Sequence, residues 1–305
     1  MRRRLLGRFV FALALAVIAF TGVYVLTDLA PGDPLDDQMR SAGSRAAELH
    51  QLGLDRPLHE RLATRLARLA VLDLGTSVRY GQPVLTLVTQ RATTTLQAGA
   101  AALLVALLIG VPAGVLASRS TSRFVRYGIA AVSILLLSVP ALVVALLLAV
   151  LSASSGLPSF AVMVISLALP AAALIERLQA RALDGVQHER CLDAARARGV
   201  PRRVITWRHA WPLSLPAVLG LAGTIAGQLL SGALAVELVT SRSGLGLLTF
   251  EALHARDLNL AAGCAGAVAL IVGLVAFAAD VVQVWMDPRI GILDEQLVLH
   301  DGGAR

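Results

Sequence analysis

Residues 184–212 read DGVQHERCLDAARARGVPRRVITWRHAWP, a polar, arginine-laced segment set between two long apolar stretches. Asp184 followed by Gln187 has the spacing of a capping box at a helix start. From there to Arg198 nothing breaks a helix. Gly199 fits the left-handed position that closes one. Pro201 fits the first turn of a second helix, and Pro212 limits it. The segment is therefore expected to fold as a helix–glycine–helix hairpin whose arms are too short and too charged to cross a bilayer. Ala194, Ala195 and Ala197 give it a low-profile surface that another backbone or a groove can approach closely. A solvated basic loop is the plain reading. A docking element for a soluble partner better explains the order of cap, small patch, glycine and proline.

The rest of the chain sets the context. Of its 305 residues 56% are hydrophobic and only 15% charged, with a mean hydropathy of +0.73. Soluble domains carry about 25% charged residues, so the composition is that of a membrane protein. The net charge is +7 and every basic residue except the histidines is Arg. The lack of Lys excludes a P-loop lysine and Schiff-base chemistry, so any ATP must bind elsewhere. Aromatic residues make up 4%, with no basic patch interleaved with them, which argues against nucleic acid. Cys191 and Cys264 lie far apart, and no disulfide is expected.

Enzyme readings lack their parts. HERCL at 188–192 is not H-E-x-x-H, because Leu192 stands where the second His belongs, and no G-x-S-x-G occurs. His50, His59, His188, His209, His254 and His300 are scattered outside the apolar stretches. No catalytic, cofactor-binding or metal-binding residue is expected.

Crossing a hydrocarbon core of ~30 Å takes ~20 mostly apolar residues. Six stretches qualify: Phe9–Leu26, Leu96–Ala117, Tyr127–Leu151, Ser159–Ile175, Leu213–Val236 and Leu260–Met286. The fourth is the shortest and contains Pro170. The first is too long for the apolar region of a secretory signal and lacks a small-x-small cleavage site, so it reads as an uncleaved span. Arg clusters before the first span and in the loops after the second and fourth, on one side of a six-span layout, while the turn near Ser152–Pro158 is free of Arg. By the positive-inside rule both termini are cytoplasmic.

The expected fold is an all-α membrane protein. Its parts are a first transmembrane helix with a basic N-terminus (1–30), an extracytoplasmic helical segment (31–92), a five-span core (93–290) and a cytoplasmic tail (291–305). The core includes the cytoplasmic loop 179–212. In the outer segment Pro57 suits a first helical turn. Leu58, Leu62, Leu66 and Leu69 recur at helical spacing, Asp73–Gly75 ends the pattern, and Pro83 opens a short helix leading into the second span. Gly223 and Gly227 form a small-xxx-small pair suited to close helix packing or a substrate path. Gln228 is placed to contact substrate or a neighbouring helix. Glu237 is placed to line an entrance or cap a helix. Asp280, inside the sixth span, is either a coupling acid or a partner for an Arg.

DAARARG at 193–199 followed by WPLSLPAVLG at 211–220 resembles the cytoplasmic signature of ABC importer permeases. More narrowly, the chain resembles the first of the two paired permeases of the dipeptide/oligopeptide/nickel class. LAPGDP at 29–34, LGLDRPL at 52–58, DLGTS at 73–77, LLIGVPAGVLAS at 107–118, SGLGLL at 243–248 and DPRIG at 287–291 carry this in order along the chain. The resemblance implies one half of a heterodimeric pore in a prokaryotic inner membrane. Two ATPase subunits would bind the ATP, and an extracytoplasmic substrate-binding protein would deliver cargo, with peptides ahead of nickel complexes. Asp193, Ala194, Ala195 and Gly199, with Arg196 and Arg198 alongside, would form the coupling element that docks on an ATPase.

The sequence departs from the family pattern in three places. The connection near SASSGLPSF is shorter than usual. Trp211 and Pro212 replace polar residues before the Leu-Pro entry. Thr240, Ser241, Arg242 and Ser243 replace the aromatic before the Gly-Leu-Gly turn. The alternative is an ion- or proton-coupled carrier using Asp280. It would leave the hairpin unexplained, and the chain shows no repeated halves with matching broken helices.

Overall fold

A computed structural model describes residues 2–29 and 58–286. The expected outer segment up to Pro57, the DPRIG stretch and the tail 291–305 lie outside the described residues. The described residues are helical, apart from loops and a single antiparallel bridge, Thr76 to Pro83. Among the described residues, five helices are long and apolar enough to cross a membrane. They are α1 (Arg2–Leu29), α3 (Val84–Arg119), α6 (Ser159–Gly185), α10 (Ala222–Thr240) and α12 (Leu258–Met286). Helices α4 (Arg123–Ser138) and α5 (Ala141–Ser155) make a sixth if counted as one span, but they meet at 94°.

That bend corrects the expected straight third span. Pro140 has no N–H and forces its predecessor out of helical geometry. Val139 accordingly sits at φ −100°, ψ 118°, between the two helices. The fourth span was drawn too short. Glu176, Arg177, Gln179 and Arg181 resemble the start of a loop, yet α6 runs on to Gly185 because Glu176 and Gln179 turn inward and are buried. Residues 179–185 of the expected loop are thus the last two turns of α6. The second span absorbs the short helix expected after Pro83 into one rod of 36 residues. The fifth is stepped at Gly220–Leu221 between α9 (Trp211–Leu219) and α10. An unanticipated helix, α11 (Leu245–His254), precedes α12.

The chain divides into two compact units. Within the described residues the first comprises 2–9, 96–242 and 274–286. Its core is α6, packed by Met163, Leu167 and Ile175 against Ala98, Ala102 and Ala106 of α3 and Ile225, Leu229 and Val236 of α10. Gly110 and Gly114 let α3 lie against α6 backbone to backbone. A Cβ at Gly110 would sit 2.5 Å from the Ala172 carbonyl oxygen, and one at Gly114 would sit 2.6 Å from that of Glu176. This is small-xxx-small packing. Burying polar groups in an apolar surround is costly unless they are hydrogen-bonded, and two pairs here are linked, although Gln179 Oε1 and Trp211 Nε1 have no hydrogen-bond partner. Ser133 Oγ of α4 donates to Glu176 Oε2 at 2.6 Å. Gln179 Nε2 donates to Ser214 Oγ of α9 at 2.8 Å, and Ser214 Oγ donates to the Trp211 carbonyl at 2.8 Å.

The second unit comprises 10–95 and 243–273 within the described residues. Helix α2 (Leu58–Leu69) is amphipathic, as its leucine spacing requires. Leu62 and Leu69, with Leu74, pack on Phe20 and Tyr24 of α1 and on Leu258 and Ala262 of α12. The α2–α3 loop is pinned by Asp257, buried at the start of α12. Its carboxylate accepts from Ser77 Oγ (2.6 Å), Arg79 N (3.1 Å) and Leu260 N (3.1 Å). Tyr80 donates its hydroxyl to Glu251 of α11. Burial, and then the neighbouring Glu251 carboxylate, raise the Tyr80 phenol above its ordinary value.

Gly114→Leu should destabilise the first unit, because backbone rather than a flexible side chain occupies the space. A cost of about 1–3 kcal/mol is the usual scale for overpacking. A lowered midpoint of thermal unfolding in detergent, with Gly128→Leu unchanged as the open-surface control, is the expected result; a Cβ at Gly128 meets nothing within 4 Å.

Candidate functional site

The segment between α6 and α10 forms one folded hairpin. Its first arm is α7 (Arg190–Ala197), two turns long. Asp184 does not cap it. The capping-box spacing is present, and Gln187 Nε2 donates to Asp184 Oδ1 at 2.9 Å, but α6 has not ended there. The residue before α7 is Glu189, extended and without a side-chain cap.

The far end closes as the sequence requires. Gly199 has φ +73°, its N–H donates to the Arg196 carbonyl at 3.0 Å, and the Val200 N–H donates to that of Ala195 at 3.2 Å. This paired closure needs a left-handed residue, which glycine adopts without a Cβ penalty.

The second arm differs from expectation at both prolines. Pro201 (φ −59°, ψ 140°) precedes the short α8 (Arg202–Val204) instead of lying in its first turn. Pro212 does not end the arm. A π-helical stretch, Ile205–Ala210, leads without a break into α9, with Pro212 in its first turn. The Trp211 N–H bonds the Thr206 carbonyl five residues back. A regular α-helix would press the Pro212 ring on the Arg208 carbonyl; the wider turn just ahead of it makes room.

Burial divides the hairpin into an anchor and an outer face. Leu192 and Ala195 are buried with Val115 of α3, Leu183 of α6, and Ile205 and Ala210. Ala195 therefore holds α7 to the body and adds nothing to its outer surface. Asp193, Ala194, Arg196, Ala197, Arg198 and Gly199 are exposed, as are Cys191 and the remaining hairpin arginines. Arg196 is fixed on both sides. Its Nη1 lies 2.6 Å from Asp193 Oδ1, and its Nη2 donates to the Gln187 carbonyl at 3.0 Å. Ser118 Oγ at the end of α3 donates to Asp184 Oδ1 at 2.6 Å, and Arg119 Nη2 donates to the Leu183 carbonyl at 3.1 Å. Sequence reasoning gave Ser118 and Arg119 no part in the hairpin, since a tie between chain-distant helix ends leaves no local pattern.

The other singled-out positions are spread over the first unit. Gly223 packs α10 on α12, where a Cβ would come within 3.1 Å of Ala279 Cβ and 3.2 Å of Ala276 Cα. Gly227 is half-buried, Gln228 is exposed and Glu237 is buried. Asp280 forms an ion pair with Arg8 of α1, 2.9 Å between Oδ2 and Nη1. Of the two roles the sequence left open for Asp280, this is the pairing with an Arg. Among the described residues, no group of three or more His, Cys, Asp or Glu side chains is placed to hold a metal.

The sequence pattern of one family, described as binding-protein-dependent transport system inner membrane component, matches residues 110–292 and so includes the whole hairpin. The chain belongs to this family. The permease is 30% identical to a putative peptide permease protein of Brucella suis, over 96% of this chain and all of that one. It is 28% identical to a probable D,D-dipeptide transport system permease protein of Escherichia coli, over 95% and 97% of the two chains. It is 25% identical to a nickel import system permease protein of Staphylococcus aureus, over 94% and 91%. Among solved structures, an inward-facing form of the MetNI methionine ABC transporter shares the fold, with a TM-score of 0.60 at 19% identity. That match covers 67% of this chain and 97% of the other. The permease is thus a multi-pass membrane subunit of an ABC importer, with a transport role.

Leu192→Ala should loosen α7 from its anchor. Truncating a fully buried Leu costs about 2–5 kcal/mol, with the larger values where the site cannot collapse. Faster tryptic cleavage within 190–203, with the rest of the permease equally resistant, is the expected observation.

Proposed function

We propose that the permease is one half of a heterodimeric pore in a prokaryotic inner membrane, with both termini cytoplasmic. In this reading α7 docks on one of two ATPase subunits, which bind all the ATP; the permease itself needs no cofactor. An extracytoplasmic binding protein delivers the cargo, and the cargo is a peptide. The curated relatives named for peptides and dipeptides support peptide cargo; the relative named for nickel keeps a nickel complex as the rival. The arginine-rich hairpin and basic N-terminus support the orientation.

The observation that carries the reading is the division of α7 into a buried anchor, Leu192 and Ala195, and an exposed face of Asp193, Ala194, Arg196 and Arg198 closed by Gly199. An exposed helix so firmly seated transmits force instead of absorbing it. Small side chains admit a groove closely, and the guanidinium groups set orientation and partner choice more than raw affinity. ATP drives the pore only by favouring one docked conformation over another, so the docked element must move with the spans.

Gly199→Val tests the docking role. A Cβ there meets nothing within 4 Å, so the only damage is to the left-handed backbone. Insertion and heterodimer formation should stay normal while substrate-stimulated ATPase activity and uptake both collapse. Unchanged uptake with unchanged stimulation would sink the docking role. For cargo, the cognate binding protein should co-purify with short peptides; a bound nickel complex in their place would reassign the substrate class.

A further inference from the structure

We propose that Asp184 is a positioning residue that ties α7 to α3 as well as to α6, so that movement of the hairpin is delivered to two membrane helices at once. The proposal rests on the docking reading above and goes beyond it by naming the linkage.

Covalently, α7 is joined to α6 through residues 186–189 and to the second arm of the hairpin through residues 198–201, but not to α3. The apolar contact of Leu192 and Ala195 with Val115 already brings α7 to α3, and one carboxylate oxygen adds a polar tie with defined direction. Asp184 Oδ1 accepts from Ser118 Oγ of α3 at 2.6 Å and from Gln187 Nε2 at 2.9 Å. The carbonyl of Gln187 accepts in turn from Arg196 Nη2 at 3.0 Å, and Arg196 Nη1 pairs with Asp193 Oδ1 at 2.6 Å. The chain of contacts therefore runs from the outer face of α7, through Arg196, Gln187 and Asp184, to the end of α3. Arg119 of α3, hydrogen-bonded to the Leu183 carbonyl at 3.1 Å, reinforces the same junction one residue away. Higher up, Gly110 and Gly114 already hold α3 against α6.

Without the Asp184 tie, α3 would follow a pull on α7 only through the apolar contact at Val115 and the Arg119 bond, and the last turn of α6 would be free to shift against α3. With it, the pull reaches both members of a backbone-packed pair, and they move as one body. Charge matters here too, since hydrogen bonds to an ionised acceptor are about twice as strong as neutral ones. Asn at this position keeps an oxygen for Ser118 and Gln187 at reduced strength, whereas Ala keeps nothing.

The test uses the complete transporter in proteoliposomes. Native Cys191, exposed in the first turn of α7, serves as the cross-linking handle to the ATPase; Cys264 is buried. Docking is read by the cross-link and linkage by substrate carried per ATP hydrolysed. Asp184→Ala should keep the Cys191 cross-link and ATP hydrolysis but lose about fivefold or more in substrate per ATP, the lower end of coupling between sites. Asp184→Asn should recover most of that ratio. Ser118→Ala should lower it partly and add nothing on top of Asp184→Ala, because the two act through one contact. A wild-type ratio in an assembled Asp184→Ala transporter overturns the proposal, as does an equal loss in Asn and Ala variants or simple addition of the Ser118 and Asp184 effects. If Asp184→Ala fails to assemble, Ser118→Ala carries the test, and an unchanged ratio there overturns it. No Cys191 cross-link in the working wild-type complex would instead reject the docking reading itself.

Discussion

The approach of α3 to α6 governs the first unit. Two glycines four residues apart bring one backbone within van der Waals reach of the other, and no other residue type leaves that space. In hydrocarbon there is little hydrophobic gain from burying one apolar helix against another, so close packing and hydrogen bonds hold the helices together. The alanine-rich face of α6 extends the same principle toward α10. The bundle is tightest at this pair, and α7 seats beside it, with Leu192 and Ala195 packed on Val115 of α3 and Leu183 of α6.

Polar side chains inside this bundle are few, and the central ones are held by a partner on another helix. Glu176 and Gln179 fall on the inward side of α6, where Ser133 and Ser214 meet them. Asp280 has Arg8. In the second unit Asp257 collects donors from the loop before α3 and from the start of its own helix. Each arrangement limits how neighbouring helices can rotate, because turning one would strand a polar group away from water. Such contacts therefore fix rotational register more than they add stability.

Much of this was legible in the residues, and the failures have physical causes. Hydropathy located the apolar helices, and Gly199 announced a left-handed closure that the backbone adopts. Length was misjudged for α6, because charged residues near a helix end read the same whether they leave the membrane or turn into a protein interior. Pro140 was passed over inside an apolar run, although it stops a helix as surely as one in a loop. Pro212 was given a stopping role it lacks, since a preceding π turn relieves its clash, and single-residue propensity does not register that. Asp184 had the right neighbour in Gln187 but the wrong role; its second partner, Ser118, lies on another helix and is invisible to any local pattern.

The corner at Val139–Pro140 has a consequence for where this chain can sit. Arms of 16 and 15 residues reach about 22–24 Å each at ~1.5 Å per residue, short of the ~30 Å needed to traverse the oily interior unaided. The break also interrupts helical pairing, because Pro140 has no N–H to offer the Leu136 carbonyl four residues back. Exposed peptide groups do not persist among acyl tails. An elbow of this kind is therefore stable at the membrane surface, or at depth only where polypeptide shelters it or a hydrated cleft wets it.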